Sequence, residues 1–131
     1  MNAFLARLWI ALINSTAGWQ QSSRTRLGNF FGDLLWWVVV PRRRVTLANL
    51  AACFPQWSEE KRVAVARQCF RNIARGALDH SVLWRGSREQ LEAYVKLEGR
   101  EFVDAPDNRP LIMIAPHFAG LDAGGIRFNT N

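Results

Sequence analysis

His117 and Asp122 stand near the end of this 131-residue chain, with four residues between them. A neutral imidazole works as a base near pH 7 when its second ring nitrogen is held by an acceptor that fixes the tautomer and stabilises the imidazolium. A carboxylate supplies both effects. The spacing therefore predicts a general-base pair in which Asp122 holds His117. The alternative is that Asp122 only caps a helix and His117 is a loop residue without chemistry.

The residues before His117 predict a position for this pair. Residues 111–115 are continuously apolar, follow a turn-like segment at 107–110 and end at Pro116. This pattern is typical of a strand buried on both faces in a parallel sheet. Ligands of open α/β sheets gather beyond the carboxyl ends of such strands, where His117 stands. We expect a helix to begin near Gly120 and to carry Asp122 close to the histidine.

Charge and cysteine content limit the class of partner. The net charge is +6, and residues 1–57 carry +5 of it, almost entirely as Arg. A basic segment beside apolar helices favours an anionic membrane surface first and nucleic acid second. Cys53 and Cys69 lack the spacing of a metal site or a disulfide framework, so we expect neither of these.

Two apolar stretches at residues 3–16 and 27–40 have helical spacing, with a loop expected at 15–26. The second stretch would be about 21 Å long, short of the roughly 30 Å hydrocarbon core. We therefore expect it to lie at the membrane interface, as Trp and Arg residues favour. The alternative is a pair of ordinary core helices with a solvated basic turn. The predicted membrane-contacting residues are Trp36, Trp37, Arg42, Arg43 and Arg44.

The middle of the chain predicts more helices. A short helix is expected at 45–54, and a long one from the cap Ser58 to about residue 84. On the long helix Arg67, Arg71 and Arg75 form a ridge, either a solvated face or a phosphate-binding, substrate-binding surface. His80 is interpreted as structural. Ser87 opens another helix with a capping box.

A strand is expected at 94–98 and one helical turn at 101–105. The predicted fold class is therefore α/β. A helical, membrane-associated segment (1–40) precedes a second domain (41–131), whose helices lead into a β-α-β unit. Because a parallel strand needs partner strands and a covering helix, we expect the chain to be a fragment or a truncated product.

The chain resembles the N-terminal part of the bacterial lipid A biosynthesis acyltransferases, within the wider glycerolipid acyltransferase superfamily. The resemblance runs from about Pro41 to Asp122. It departs from the lipid A branch in having Asp rather than Glu at 122, and in lacking the family's downstream half. The matching residues are Arg43-Arg44, Ala48-Asn49-Leu50, Cys53-Phe54-Pro55, Ser58, Trp84-Arg85-Gly86-Ser87, Glu98-Gly99, Ala115-Pro116-His117-Phe118 and Asp122.

The resemblance implies acyl transfer from an acyl carrier protein thioester to a hydroxyl of a lipid A precursor, at the cytoplasmic face of the bacterial inner membrane. It implies His117 as the general base, Asp122 as its partner, and neither metal nor cofactor. Two hypotheses from other classes remain open. One is a non-catalytic membrane-bound remnant that binds anionic lipid. The other is a basic nucleic-acid binder, which the clustering of aromatic with aliphatic residues disfavours.

Overall fold

The computed structural model describes residues 3–102, 104, 112, 114–116 and 118–130. Its regular structure is helical, and a 3-10 turn at Arg100–Phe102 follows the fifth helix. The helices are α1 (Ala3–Ser15), α2 (Gln21–Val38), α3 (Val40–Cys53), α4 (Glu59–Arg85), α5 (Arg88–Tyr94) and α6 (Leu121–Asn129).

Local capping explains where α4 and α5 begin. The Ser58 hydroxyl accepts a hydrogen bond from the Lys61 amide, and Glu59 and Glu60 occupy the first turn of α4, where the helix dipole favours negative charge. Ser87 and Gln90 form the predicted capping box of α5, each side chain bonding the other's backbone. These starts confirm the sequence-based prediction because cap chemistry depends only on neighbouring residues.

The long helix α4 is the element on which the others pack. It contacts α1, α2, α3 and α5. Its apolar residues Ala66 and Phe70 form a core with Trp36 of α2, and the Trp36 and Phe70 rings meet edge to face at 5.5 Å. Near the other end of α4, the fully buried Ser81 hydroxyl accepts a hydrogen bond from Thr16, just after α1.

Helices α2 and α4 approach closely because two glycines of α2 face the backbone of α4. A Cβ at Gly28 would lie 2.9 Å from the Arg75 Cα, and one at Gly32 would overlap the Arg71 backbone still more closely. Ordinary side-chain carbons do not come this near to a backbone. The Gly28 and Gly32 pair therefore sets the separation of the two helices.

Polar side chains cross this close interface. Asp33 accepts hydrogen bonds from Arg67 at 2.7 Å and from Arg71 at 2.8 and 2.9 Å. One turn away, Arg75 Nε donates to Asn29 Oδ1 at 2.7 Å. Hydrogen bonds from Arg71 and then Arg67 lower the pKa of Asp33 from its ordinary 3.8 to about 2. All three arginines of the ridge thus form hydrogen bonds with side chains of α2.

The predicted strands are wrong for the residues that the structure describes. Tyr94 ends α5, and residues 95–98 have no regular structure. Ile112 and Ile114 are about nine-tenths exposed and, with Ala115, lie outside any strand. Strand backbone needs a neighbouring strand for its N–H and C=O groups, and the described part of the chain offers none. Residues 111 and 113 lie outside the described residues, so the α/β class is not seen here.

Other boundaries differ from the prediction at the N-terminal side. The expected loop at 15–26 is shorter, since α2 begins at Gln21, and α3 begins at Val40 rather than at 45. Pro41 occupies the first turn of α3, where a missing N–H costs no helical hydrogen bond. The division of the chain at residue 40 stays a prediction, and helices from both sides of it pack together.

Within the described ranges, every helix is too short or too polar to pass through a bilayer.

Gly32→Ala should lower the free energy of unfolding by about 1–3 kcal/mol, because the added methyl group forces α2 away from α4. The measurement is thermal unfolding followed by far-UV circular dichroism in mild detergent. Gly124→Ala in α6 is the matched control, since its Cβ would meet nothing within 4 Å and Ala favours a helix. A Gly32→Ala chain as stable as the control would contradict the close contact.

Asp33→Asn should destabilise the fold at neutral pH and progressively less in acid. The depressed pKa of Asp33 means that its ion pairs contribute fully above pH 3.8 and are lost as the pH falls to about 2. The difference in unfolding free energy between the two chains should therefore shrink across that window. Glu98→Gln, at an exposed carboxyl, is the control. A difference that stays constant down to pH 2 would rule out this source of stability.

Candidate functional site

Asp122 lies in the first turn of α6, near the helix end where backbone N–H groups favour negative charge. Gly120 is the N-cap residue, so the alternative in which Asp122 merely caps a helix is not what the structure shows. The Asp122 side chain is 67 % exposed. His117 lies outside the described residues, and its pairing with Asp122 stays a prediction.

The described histidine next to Asp122 is His80 of α4. Its Nε2 lies 3.2 Å from Asp122 Oδ2, and its Nδ1 lies 2.7 Å from the Gly76 carbonyl oxygen one turn earlier. The Trp84 ring packs edge to face against the imidazole at 5.1 Å. The sequence-based interpretation of His80 as structural missed its contact with the predicted catalytic carboxylate, because 42 residues separate the two in sequence.

A second contact fixes the other end of α6. Arg127 Nε donates to the Val95 carbonyl oxygen at 3.2 Å, and its Nη2 lies 3.7 Å from a Glu92 carboxylate oxygen. Helix α6 is therefore attached to α4 at its first turn and to the end of α5 at its last. This arrangement holds the Asp122 carboxylate at the edge of the α4 surface.

A cavity of about 230 Å³ lies between α4, Tyr94 and the start of α6. Its wall includes the side chains of Asn72, Arg75, His80 and Asp122. These side chains provide hydrogen-bond donors and acceptors beside a mostly apolar lining, which suits a ligand that carries hydroxyl groups on an apolar body. The cavity is thus a candidate ligand site beside Asp122.

Of the three predicted substrate-binding arginines, only Arg75 lines this cavity. Arg67 and Arg71 bind Asp33 and lie by a separate groove with Glu59 and Glu60. The three residues share one helix face, as predicted, but they do not converge on one ligand-sized space in this structure. A substrate-binding role for them stays a prediction.

A buried charged cluster adjoins the cavity, and sequence reasoning did not find it. Arg24 is only 5 % exposed, its Nε lies 3.6 Å from Asp79, and its guanidinium lies over the Tyr94 ring at 6.0 Å. Burial first, and then a hydrogen bond to Asp79, raise the pKa of Tyr94 well above its usual range. The cluster joins α2, α4 and α5, so its residues are distant in sequence and carry no motif.

The predicted membrane-contacting residues divide into two groups. Trp37 is 65 % exposed, and Arg42 and Arg44 are also exposed. Trp36 is buried at 6 % exposure against Phe70, so its assignment to the membrane surface is corrected. Arg43 lies over both indoles, 5.3 and 5.7 Å from the Trp36 and Trp37 ring centroids, and its guanidinium also donates to the Trp36 carbonyl. Trp36 is buried while Trp37 is exposed because adjacent residues of a helix point in different directions.

Comparisons with known proteins give consistent results. The chain is 25 % identical over 100 residues to a lipid A biosynthesis acyltransferase of Haemophilus influenzae. The aligned region covers 75 % of this chain and 32 % of that protein. It is 24 % identical over 105 residues to the lipid A biosynthesis lauroyltransferase of Escherichia coli (79 % and 34 %). It is 25 % identical over 101 residues to the palmitoleoyltransferase of the same organism (76 % and 33 %).

The chain thus spans about one third of the length of these curated relatives. No solved structure matches it significantly. Residues 2–131 match the family described as bacterial lipid A biosynthesis acyltransferase. Because this match covers almost the whole chain, the protein belongs to the bacterial lipid A biosynthesis acyltransferase family.

Proposed function

We propose that this chain carries the acyl-transfer site of a lipid A acyltransferase, with His117 as the general base and Asp122 as its partner. Family membership supports the reaction class. The observation that carries the proposal is the position of Asp122, a carboxylate in the first turn of α6 at the wall of a cavity with polar groups. His117 stands five positions before it in the sequence.

In the proposed reaction the acyl donor is an acyl carrier protein thioester and the acceptor is a hydroxyl of a lipid A precursor. His117 removes the hydroxyl proton as the oxygen attacks the thioester carbonyl carbon. The carbon–sulfur bond then breaks, and the leaving thiolate takes the former hydroxyl proton from the imidazolium. Asp122 stabilises that imidazolium between the two proton transfers. A thioester is already activated, so the scheme uses neither a metal nor a covalent acyl-enzyme.

His117→Ala should reduce acyl transfer by about 10²–10⁴-fold, because the acceptor hydroxyl loses its base. The assay mixes the detergent-dispersed 131-residue chain with acyl carrier protein thioester and a tetra-acylated lipid A precursor, and follows the acylated lipid. Asp122→Asn should also lose activity, because an amide cannot stabilise the imidazolium.

Replacing Cys53 and Cys69 together by Ser is the matched control. It removes the two thiols that could form an acyl-enzyme, and turnover should stay at the level of the unchanged chain. Turnover that survives in the His117→Ala chain would disprove the role of His117. Turnover that disappears with the cysteines would replace the direct transfer by a covalent route.

The second candidate function is binding of anionic lipid without catalysis, and the surface of the N-terminal helices favours it. Helices α1 and α2 expose large apolar side chains, and exposed Arg42 and Arg44 of α3 follow Trp37. Among the described side chains of α1 and α2, the apolar residues more than half exposed are Phe4, Leu8, Phe30, Trp37 and Val38. A surface that joins Trp, aliphatic residues and Arg fits the headgroup region of an anionic bilayer. We place the chain at the cytoplasmic face of the inner membrane in both candidate functions.

Arg42→Glu with Arg44→Glu should weaken binding to phosphatidylglycerol-containing vesicles by at least about tenfold, since each arginine near an anionic surface contributes about 1 kcal/mol. Cosedimentation with vesicles at low ionic strength measures the change. Trp37→Ala should also weaken binding while the fold persists. Trp36→Ala is the contrasting control, because it should destabilise the fold through the α2–α4 core. Unchanged vesicle binding by the double charge-reversal chain would refute the electrostatic contact.

A further inference from the structure

The hydrogen bond inside α4 determines the proton on one nitrogen of His80. Nδ1 lies 2.7 Å from the Gly76 carbonyl oxygen, and a carbonyl oxygen can only accept. Nδ1 must therefore carry a hydrogen and donate it to Gly76. In a neutral imidazole this leaves Nε2 without a hydrogen, as an acceptor.

The contact with Asp122 constrains the other nitrogen of the same ring, Nε2. Nε2 lies 3.2 Å from Asp122 Oδ2, and a carboxylate oxygen also only accepts. Two acceptors facing one another would repel, so this contact requires a hydrogen on Nε2 as well. An imidazole with hydrogens on both nitrogens is the charged imidazolium. The geometry thus describes an ion pair between His80 and Asp122.

The other charged and titratable groups around this cavity have partners elsewhere. On α4, Arg75 donates to Asn29 and Asp79 lies beside Arg24. Tyr94, from α5, hydrogen-bonds to Asp79. On the α6 side, the carboxylate that faces the imidazole is that of Asp122. Because Asp79 pairs with Arg24 and Tyr94, Asp122 is the carboxylate that faces Nε2 of His80.

We propose that His80, as an imidazolium, is a positioning residue for Asp122, and this inference rests on the proposed function above. His80 binds Oδ2 and thereby orients the carboxylate, so that Oδ1 can accept a hydrogen bond from His117. This contact ties the first turn of α6 to α4.

The first test reads the His80–Asp122 contact without any enzymatic activity. Long-range ¹⁵N–¹H spectra of the 131-residue chain, labelled with ¹⁵N in its histidines, report each ring nitrogen of His80 at one fixed pH. The Nε2 signal should differ between the unchanged chain and the Asp122→Asn chain. Glu98→Gln, which removes a carboxylate outside this cavity, should leave the signal in place. Superimposable His80 signals from the unchanged and Asp122→Asn chains would overturn the proposal.

The second test separates positioning from a merely structural role. Gln at position 80 places an amide donor near the position of Nε2. Asn is shorter, so its amide lies near the position of Nδ1 and reaches only the Gly76 carbonyl oxygen. His80→Asn should lower kcat by about 10-fold to 100-fold with KM for both substrates unchanged, and His80→Gln should recover most of kcat. Equal kcat for the Asn and Gln chains would overturn the positioning role. If the unchanged chain shows no turnover, the proposed function fails, whereas the His80–Asp122 contact is decided by the ring-nitrogen spectra alone.

Discussion

The close contact of α2 with α4 at Gly28 and Gly32 is the constraint on which the rest of the structure depends. Without side chains at these two positions, the α2 backbone comes near enough for Asp33 to reach Arg67 and Arg71 and for Asn29 to reach Arg75. The same approach brings Trp36 onto Phe70. Packing and electrostatics therefore depend on one another here, since wider separation would leave the arginines unpaired and the aromatic core open.

This interface also changes the meaning of the basic composition. A row of arginines on one helix face is ambiguous in a sequence, because solvent, phosphate and an internal carboxylate all suit a guanidinium. In the folded chain Asp33 forms ion pairs with two of them, Arg67 and Arg71. The exposed positive charges that follow Trp37 are those of Arg42 and Arg44. Arg75 has a different environment, since it bonds Asn29 and borders the cavity near Asp122.

The site combines elements from widely separated parts of the chain. Helix α4 supplies His80 and Arg75, α6 supplies Asp122, and Tyr94 closes one side of the cavity. Arg24 and Asp79 brace this region from within. A carboxylate with one oxygen on the His80 ring still has a second oxygen for another donor. The proposed reaction assigns that donor to His117, which it uses as its base.

Local signals explain what the sequence by itself determined. Ser58 with Glu59 and Glu60, Ser87 with Gln90, and the apolar periodicity of residues 3–16 and 27–40 act within one or two helical turns, so helix positions and the residues behind the family resemblance could be read directly. The burial of Trp36 beside exposed Trp37, the pairing of Asp33 with two arginines, and the contact of His80 with Asp122 were decided only by tertiary structure. The predicted strands failed for the related reason that a strand is stable only beside other strands, and the described residues contain none. Each of these outcomes depends on which distant backbone or side chain arrives next to a residue, and a short stretch of sequence does not contain that information.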